Sequence, residues 1–222
     1  PFDKNIIWVG SPGGGLWKST DGGNSWSTNT DNLPVIGVSY IAINPTNPQE
    51  MYITTGDAHA SDTYSIGILK SIDGGVTWDT TGIQFPVPSN KMVNKLLIHP
   101  THTDSLFAAT DERIMISPDG GQSWSVAQNS SGSNLIGRFR DIEFKPNNPN
   151  VLYAVKQTTG SSEVFKSTDR GLSWFSSSNG ISIVNRNRPL IAVTPANPDA
   201  VYVLFCKNDY SFHGLYKSVD NA

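Results

Sequence analysis

Two carboxylates and a histidine lie close together in the segment 55–65, Thr-Gly-Asp-Ala-His-Ala-Ser-Asp-Thr-Tyr-Ser. Asp57, His59 and Asp62 have the side chains of a metal site or of an acid/base pair, and Tyr64 could stack on a sugar ring. Glycosidases use two carboxylates at a set separation, one of them with a raised pKa. The sequence does not place Asp57 or Asp62 opposite a partner, and loop carboxylates more often hold the turns of their own loop.

Other candidate ligand contacts are aromatic and basic. Tyr210 and Phe212 lie in a second loop, 207–213, and Phe85 is a further loop aromatic. Packing across the ends of strands is the plainer role for such rings, and charge balance at the surface is an equally ordinary role for arginines. The arginines cluster near the starts of predicted strands and could line the mouth of a channel: Arg138, Arg140, Arg186 and Arg188. The ligand-binding candidates are therefore Asp57, His59, Asp62, Tyr64, Arg138, Arg140, Arg188, Tyr210 and Phe212.

Composition excludes several classes of function. A net charge of −3 gives no electrostatic basis for binding nucleic acid, and no apolar run approaches the ~20 residues of a membrane span. The single cysteine, Cys206, excludes intrachain disulfides and cysteine-cluster metal sites. No glycine-rich loop has the setting of a phosphate site, and the arginine set of a sialidase is not found. We predict no metal, no cofactor and no catalytic residue assignable from sequence.

The elements that must position these side chains are repeats. The pattern Ser-x-Asp-x-Gly-x-Ser/Thr-Trp, here called the Ser-Asp turn, occurs at 19–26, 71–78, 117–124 and 167–174, and a fifth copy begins at Ser218. Successive aspartates are 52, 46, 50 and 51 residues apart, and a period near 50 indicates a repeat architecture. We assign a structural role to the residues of this turn: Ser19, Asp21, Gly23, Trp26, Ser71, Asp73, Gly75, Trp78, Ser117, Asp119, Gly121, Trp124, Ser167, Asp169, Gly171, Trp174, Ser218 and Asp220.

Each residue type in the turn has a physical task. The aspartate can accept hydrogen bonds from N–H groups of its own turn, and the serine hydroxyl can do the same more weakly. Glycine recurs at the second position after the aspartate, whereas Arg170 fills the first position once, which predicts a positive φ or a close approach at the second position only. The tryptophan, as in Trp78, is expected to be buried at the start of the next strand. The further carboxylates of a calcium loop are missing.

A second marker completes the repeat. Pro45, Pro100, Pro146 and Pro195 each precede an aromatic residue by seven positions, and an apolar run stands before each. The order is strand A, proline turn, strand B, variable loop, strand C, Ser-Asp turn, strand D, and four antiparallel strands in ~50 residues form one propeller blade. The predicted fold is all-β, an incomplete β-propeller: blade 1 (strands B–D) 1–35, blade 2 36–85, blade 3 86–132, blade 4 133–182 and blade 5 (strands A–C) 183–222.

This topology separates two faces. The A–B and C–D turns are nearly constant in length and share one face, whereas the B–C and D–A loops share the other, here called the loop face. From the strand B aromatic to the aspartate of the turn there are 13, 21, 12, 16 and 18 residues in the five repeats. Because insertions of this kind map to the binding face of repeat proteins, we expect a protein or glycan ligand on the loop face.

The Ser-Asp turn resembles the Asp-box, or BNR repeat, of β-propellers such as bacterial sialidases, xyloglucanase-type glycoside hydrolases, the sortilin luminal domain and a photosystem assembly factor. In those families the turn is structural and lies away from the ligand. The phrases Trp8-Val-Gly-Ser-Pro-Gly-Gly-Gly and Thr55-Gly-Asp resemble sortilin-type repeat proteins of Bacteroidetes. Many of these leave the cell by type IX secretion through a C-terminal signal, which this sequence does not contain.

The resemblance suggests three functions. We expect first a non-catalytic binding or structural module of a secreted or cell-surface bacterial protein, with the rest of the chain or the secretion and surface machinery as partners. The alternative is half of a xyloglucanase-type endoglycosidase, whose carboxylate pair would lie in a cleft between two propellers. A second alternative is a sortilin-like peptide receptor. Missing strands at both ends, and Ala222 in place of glycine, lead us to expect more chain or another subunit completing the propeller.

Overall fold

The computed structural model describes residues 3–59, 63–182 and 184–219, and within these ranges every regular element is a β-strand. Contacts divide the chain into two units. Unit 1 comprises Pro1–Leu106 and Ser117–Trp124, and unit 2 comprises Phe107–Ile116 and Ser125–Ala222. The division falls inside the third blade, and each unit is therefore described by itself.

Unit 1 contains the first two blades, which are antiparallel sheets with neighbouring strands in sequence order. The first blade consists of β1 (Ile7–Ser11), β2 (Gly15–Ser19) and β3 (Ser27–Thr28). The second consists of β4 (Val38–Ile43), β5 (Met51–Thr55), β6 (Gly67–Ser71) and β7 (Asp79–Gln84), and β8 (Val93–Ile98) follows. Every residue of β5 is buried, because a blade is covered on both of its faces. Leu16, Val38, Ile53 and Leu69 form a core cluster across these strands.

Unit 2 contains the strands that complete the third blade and the last two blades. The third blade has four strands: β8, β9 (Leu106–Thr110), β10 (Ile114–Ser117) and β11 (Ser125–Val126), with β10 antiparallel to β11. The fourth has β13 (Arg138–Lys145), β14 (Asn148–Gln157), β15 (Glu163–Ser167) and β16 (Ser173–Ser176). The fifth has β17 (Asn187–Thr194), β18 (Asn197–Cys206) and β19 (Phe212–Ser218), in the order β17-β18-β19. A core cluster that includes Tyr153, Val164, Ile191 and Phe205 joins the fourth and fifth blades.

These sheets confirm the predicted all-β propeller architecture, with one departure from strictly antiparallel blades. The short strand β12 (Gln128–Asn129) pairs parallel to β16, with Gln128 opposite Ser173 and Asn129 opposite Trp174. It lies in the connection that follows β11, so a segment from the end of the third blade becomes the outermost strand of the fourth sheet. The pairing is possible because the edge of β16 offers unpaired backbone groups.

Candidate functional site

The Ser-Asp turn is a closed hydrogen-bond loop in the four copies that the structure describes in full. In the first copy Ser19 Oγ donates to Asp21 Oδ1 at 2.8 Å and accepts the N–H of Gly23 at 2.8 Å. Asp21 Oδ1 also accepts the N–H of Ser25 at 2.9 Å. The same three contacts recur in the other copies at 2.7 to 2.9 Å. Asp220 of the fifth copy lies outside the described residues.

In the four Ser-Asp turns that the structure describes in full, a backbone hydrogen bond joins the turn to the proline turn of the same blade. The N–H after the aspartate donates to a carbonyl of that turn, as in Gly22 to Asn5 at 3.0 Å and Gly74 to Gln49 at 2.9 Å. In the fourth blade the donor is Arg170 and the acceptor is Asn150, at 2.9 Å. The aspartates and serines of the turns thus lie with the proline turns, opposite the loop face.

The glycine requirement of the turn differs from the prediction. Both positions after the aspartate have positive φ, since Gly22 and Gly23 have φ values of 74° and 95° and Arg170 has 59°. The prediction of positive φ at the second position alone is therefore wrong. Arg170 is tolerated for two reasons. Its φ of 59° falls in the left-handed region that non-glycine residues can adopt, and its side chain is exposed to solvent. A Cβ on Gly171 would lie 3.0 Å from the Phe107 ring, so space as well as φ selects glycine there.

Hydrogen bonds keep the turn carboxylates ionised. Bonds from the hydroxyl and N–H of Ser25 lower the pKa of Asp21 to about 2, and those from Ser123 lower the pKa of Asp119 to about 2. The pKa of Asp73 falls well below its ordinary value because Thr77 donates from its hydroxyl and its N–H. Such carboxylates are unsuited to donating a proton near neutral pH.

Burial of the tryptophans varies and corrects the expectation of a uniformly buried ring. Trp174 is fully buried and its Nε1 donates to the Gly171 carbonyl at 2.7 Å. Trp26 makes the equivalent bond to Gly23 at 3.0 Å but remains 40% exposed. Trp78 is half-buried, and its buried Nε1 has no hydrogen-bond partner among the described residues. The ring nitrogens of Trp26, Trp124 and Trp174 donate to the carbonyl three residues earlier, whereas Trp78 packs against a core cluster that includes Leu16 and Val38.

On the loop face of unit 1, the chain after β5 forms the longest B–C loop. Gly56 has a φ of 90° and donates its N–H to the Gly37 carbonyl at 2.8 Å. Asp57 Oδ1 accepts the N–H of His59 at 2.7 Å, so this carboxylate supports its own turn. Asp57 is half-buried, His59 is exposed and Tyr64 is 47% exposed. Asp62 lies outside the described residues, so whether the predicted trio forms stays a prediction.

In unit 2, the predicted arginines have different surroundings. Arg138 lies on β13 and its Nε is 2.8 Å from Asp111 Oδ1, an ion pair between strand A of the fourth blade and the B–C loop of the third. Arg140, on the same strand, is half-buried. The next residue on β13, Asp141, is buried, and its Oδ2 accepts the N–H of Ile191 in the fifth blade at 3.1 Å. Asp141 stands among other charged residues of β13, Arg138–Lys145, so the sequence did not distinguish it as a buried carboxylate.

Three non-glycine residues in and beside the described loops of the fifth blade have a positive φ. Asn185, Arg188 and Tyr210 have φ values of 59°, 36° and 65°. The guanidinium of Arg188 lies 4.8 Å from the ring centroid of Tyr210, and the Asn208 N–H donates to Asn185 Oδ1 at 2.9 Å. Tyr210 and Phe212 are 60% and 64% exposed. Left-handed non-glycine residues of this kind concentrate at ligand sites.

Arg186 differs from the other arginines of the cluster because it is only 2% exposed. Its Nε and Nη1 are buried without a hydrogen-bond partner, and its Cζ lies 5.5 Å from the ring centroid of Phe205. The sequence shows only that Arg186 is one of several arginines near the starts of strands, and it contains no signal that this side chain is buried.

No metal-binding group of three His, Cys, Asp or Glu side chains is found in the part of the chain that the structure describes. Over those same residues, no helix is long and apolar enough to cross a membrane.

Blades of this kind, with Ser-Asp turns on one face and variable loops on the other, define a β-propeller segment. No family model matches the sequence. The solved structures that it resembles include an ancestral GH74 enzyme (TM-score 0.71, 23% identity, 93% of this chain and 27% of that one) and the GH74 xyloglucanase of Xanthomonas campestris (TM-score 0.71, 16% identity, 99% and 35%). YCF48 bound to D1 peptide is a more distant neighbour (TM-score 0.59, 17% identity, 96% and 66%).

The curated relatives that align over most of the chain are xyloglucanases. The chain is 26% identical over 189 residues to the oligoxyloglucan-reducing end-specific xyloglucanase of Emericella nidulans, covering 78% of this chain and 22% of that protein. It is 26% identical over 203 residues to a xyloglucanase of Paenibacillus sp, covering 78% and 20%. The chain thus spans about a fifth of the length of these relatives. The human VPS10 domain-containing receptor SorCS3 is 30% identical over 113 residues, which cover 50% of this chain and 8% of the receptor.

These similarities correct the functional expectation. A non-catalytic binding or structural module was the first choice, and it is wrong, because the relatives that align over most of the chain are glycoside hydrolases. The similarity to a sortilin-like receptor covers only half of the chain. The loop-face residues chosen as ligand contacts stay a prediction.

Proposed function

We propose that this chain is a propeller segment of a secreted glycoside hydrolase that acts on a xyloglucan-type β-glucan. The observation that carries the proposal is the alignment of 78% of the chain with several xyloglucanases at 24–26% identity. In this proposal the Ser-Asp turns are Asp-box turns with a structural task, and the glycan binds to the loop face.

Exposed aromatic rings and a carboxylate on the loop face support the proposal. Tyr64, Tyr210 and Phe212 present aromatic surface to solvent, which suits stacking on sugar rings. Asp57 is separated from the end of β5 by Gly56, and its carboxylate accepts the backbone N–H of His59, which fixes its position. We assign glycan contacts separately for each unit: to Asp57, His59, Asp62 and Tyr64 in unit 1, and to Arg138, Arg140, Arg188, Tyr210 and Phe212 in unit 2.

The test is hydrolysis of tamarind xyloglucan by the longest natural polypeptide that contains this sequence, with release of reducing ends as the readout. Activity on xyloglucan above that on carboxymethyl cellulose supports the proposal. Asp57→Asn should lower kcat/KM, whereas Asp79→Asn, at an exposed position of β7, is the matched control and should not. Absence of both hydrolysis and xyloglucan-oligosaccharide binding would reject the proposal.

A further inference from the structure

Arg186 lies where the B–C loop of the fourth blade meets the connection into the fifth. Its backbone forms an antiparallel bridge with Gly160, and its carbonyl accepts the N–H of Ser162. Two residues away, Arg188 packs over Tyr210. Arg186 is therefore buried at the junction of two loop-face segments of unit 2, the B–C loop of the fourth blade and the connection into the fifth blade.

The charge of Arg186 is poorly compensated. The Nε and Nη1 atoms carry three of the five N–H donors of a guanidinium, and both atoms are buried without an acceptor. Burial lowers the pKa of Arg186, and the opposing effect of the Glu163 charge is smaller. Glu163 itself is bound to Lys156, with its carboxylate 2.7 Å from Nζ. Buried charges in proteins are normally paired, so Nε and Nη1 of Arg186 are the two atoms of this guanidinium that could bind an anionic group.

A second buried polar atom without a partner is Oε1 of Gln157, at the end of β14. Gln157 donates from Nε2 to Asn187 Oδ1 at 2.8 Å, which fixes the amide, and its Oε1 is buried without a donor. Asn187 directly follows Arg186 in sequence. A ligand that satisfies both groups must combine an anionic oxygen for the guanidinium with a hydroxyl for the amide oxygen.

We propose that Arg186 and Gln157 form a binding site for the carboxylate and a hydroxyl of an acidic sugar, a uronic acid residue. The choice of a sugar rests on the proposed glycoside-hydrolase function, whereas the need for an anion follows from Arg186 alone. The carboxylate pairs with the guanidinium, the hydroxyl donates to Gln157 Oε1, and the exposed rings of Tyr210 and Phe212 border the same loops. The site gives the loop face a subsite for charged, in addition to neutral, saccharides.

The experiment titrates the protein with D-glucuronate, acetate and D-glucose at pH 7, and follows binding by calorimetry and by the shift in Tm. D-Glucuronate is expected to bind and raise Tm, acetate to bind more weakly, and D-glucose not to bind at this site. Arg186→Met should weaken glucuronate binding by at least ~10-fold. Arg113→Met is the matched control, since that arginine pairs with Glu112 at the surface, and it should leave binding unchanged.

Stability without ligand separates a binding role from a structural one. If the role of Arg186 is to bind an anion, the substitution Arg186→Met removes a buried charge that has no partner in the ligand-free protein. The ligand-free variant should then have a Tm equal to or above that of the wild type. A lower Tm for Arg186→Met together with no glucuronate binding by the wild type would overturn the proposal. Equal binding of acetate and glucuronate would overturn the sugar assignment and leave a small-anion site. If Arg186→Met does not fold, Arg186→Lys, which keeps the charge but not the planar fork, should still weaken binding. Glucuronate binding without xyloglucan hydrolysis would reject the proposed function alone.

Discussion

The backbone N–H of Arg170 donates a 2.9 Å hydrogen bond to the carbonyl oxygen of Asn150, and Arg170 adopts a φ of 59° to do so. The equivalent position is glycine in the first three Ser-Asp turns, with φ values of 67° to 74°. This bond joins the two turns of one blade and requires a left-handed residue, but it does not require the absence of a side chain.

The first prediction distinguishes two requirements of this turn, a positive φ and the absence of a side chain that would clash with a neighbour. Arg170→Gly should change the free energy of unfolding by less than ~1 kcal/mol, because relief of the positive φ offsets the flexibility gained by the unfolded chain. Gly171→Ala should destabilise by ~1–3 kcal/mol, because the new Cβ meets Phe107 at a φ of 78°. Urea denaturation of both variants is the measurement. Equal losses would show that φ alone governs both positions.

The second prediction concerns the tryptophans of the turns. Trp174→Ala should cost ~3–5 kcal/mol, because it removes a fully buried ring and its bond to Gly171. Trp26→Ala serves as the comparison, and since its ring is 40% exposed the loss should be less than half as large. Thermal unfolding followed by circular dichroism measures both. The idea fails if the two variants are destabilised alike.

The third prediction concerns acid. Because the folded pKa of Asp21 and of Asp119 is lowered to about 2 from about 3.8, their contribution to stability is fully present above about pH 4. That contribution is lost as the pH falls from about 4 through about 2, when the carboxylates become protonated and stop accepting N–H bonds. Carboxyl carbon shifts followed by NMR titration should give midpoints near 2 for Asp21 and Asp119. Midpoints near 3.8 would contradict the hydrogen-bonded turn.

The fourth prediction concerns a histidine that replaces asparagine in a proline turn. Asn44 Oδ1 accepts the N–H groups of Thr46 and Asn47, and at the equivalent place His99 Nδ1 accepts those of Thr101 and His102 at 3.3 and 3.1 Å. Only a neutral imidazole nitrogen can accept these N–H groups, so protonation of His99 would remove both hydrogen bonds and weaken the turn.

His99→Asn tests this substitution directly, because asparagine supplies the acceptor at every pH. The variant should keep its Tm at pH 7 and lose less Tm than the wild type between pH 7 and pH 5. His102→Asn is a matched control next to it in the same turn. A Tm of His99→Asn that falls with acid as steeply as that of the wild type would exclude the imidazole as the cause.

The regular features of this fold could be predicted because they repeat. The Ser-Asp spacing, the proline turns and runs such as Met51–Thr55 each determine local structure through short-range hydrogen bonding and burial. The parallel strand β12 could not be predicted, because it depends on an edge of β16 that only the folded blade presents. The burial of Arg186 and the exposure of Trp26 depend on which side chains neighbouring strands bring close, and local sequence does not contain that information.

The pairing of β12 with β16 has a mechanical consequence. The segment that follows β11 is hydrogen-bonded, through β12, to the outer strand β16 of the next sheet. A pulling force along the chain therefore acts in shear on the β12–β16 hydrogen bonds before it reaches β13. Two consecutive blades should therefore rupture together, as one step in a force–extension trace, where independent blades would give two.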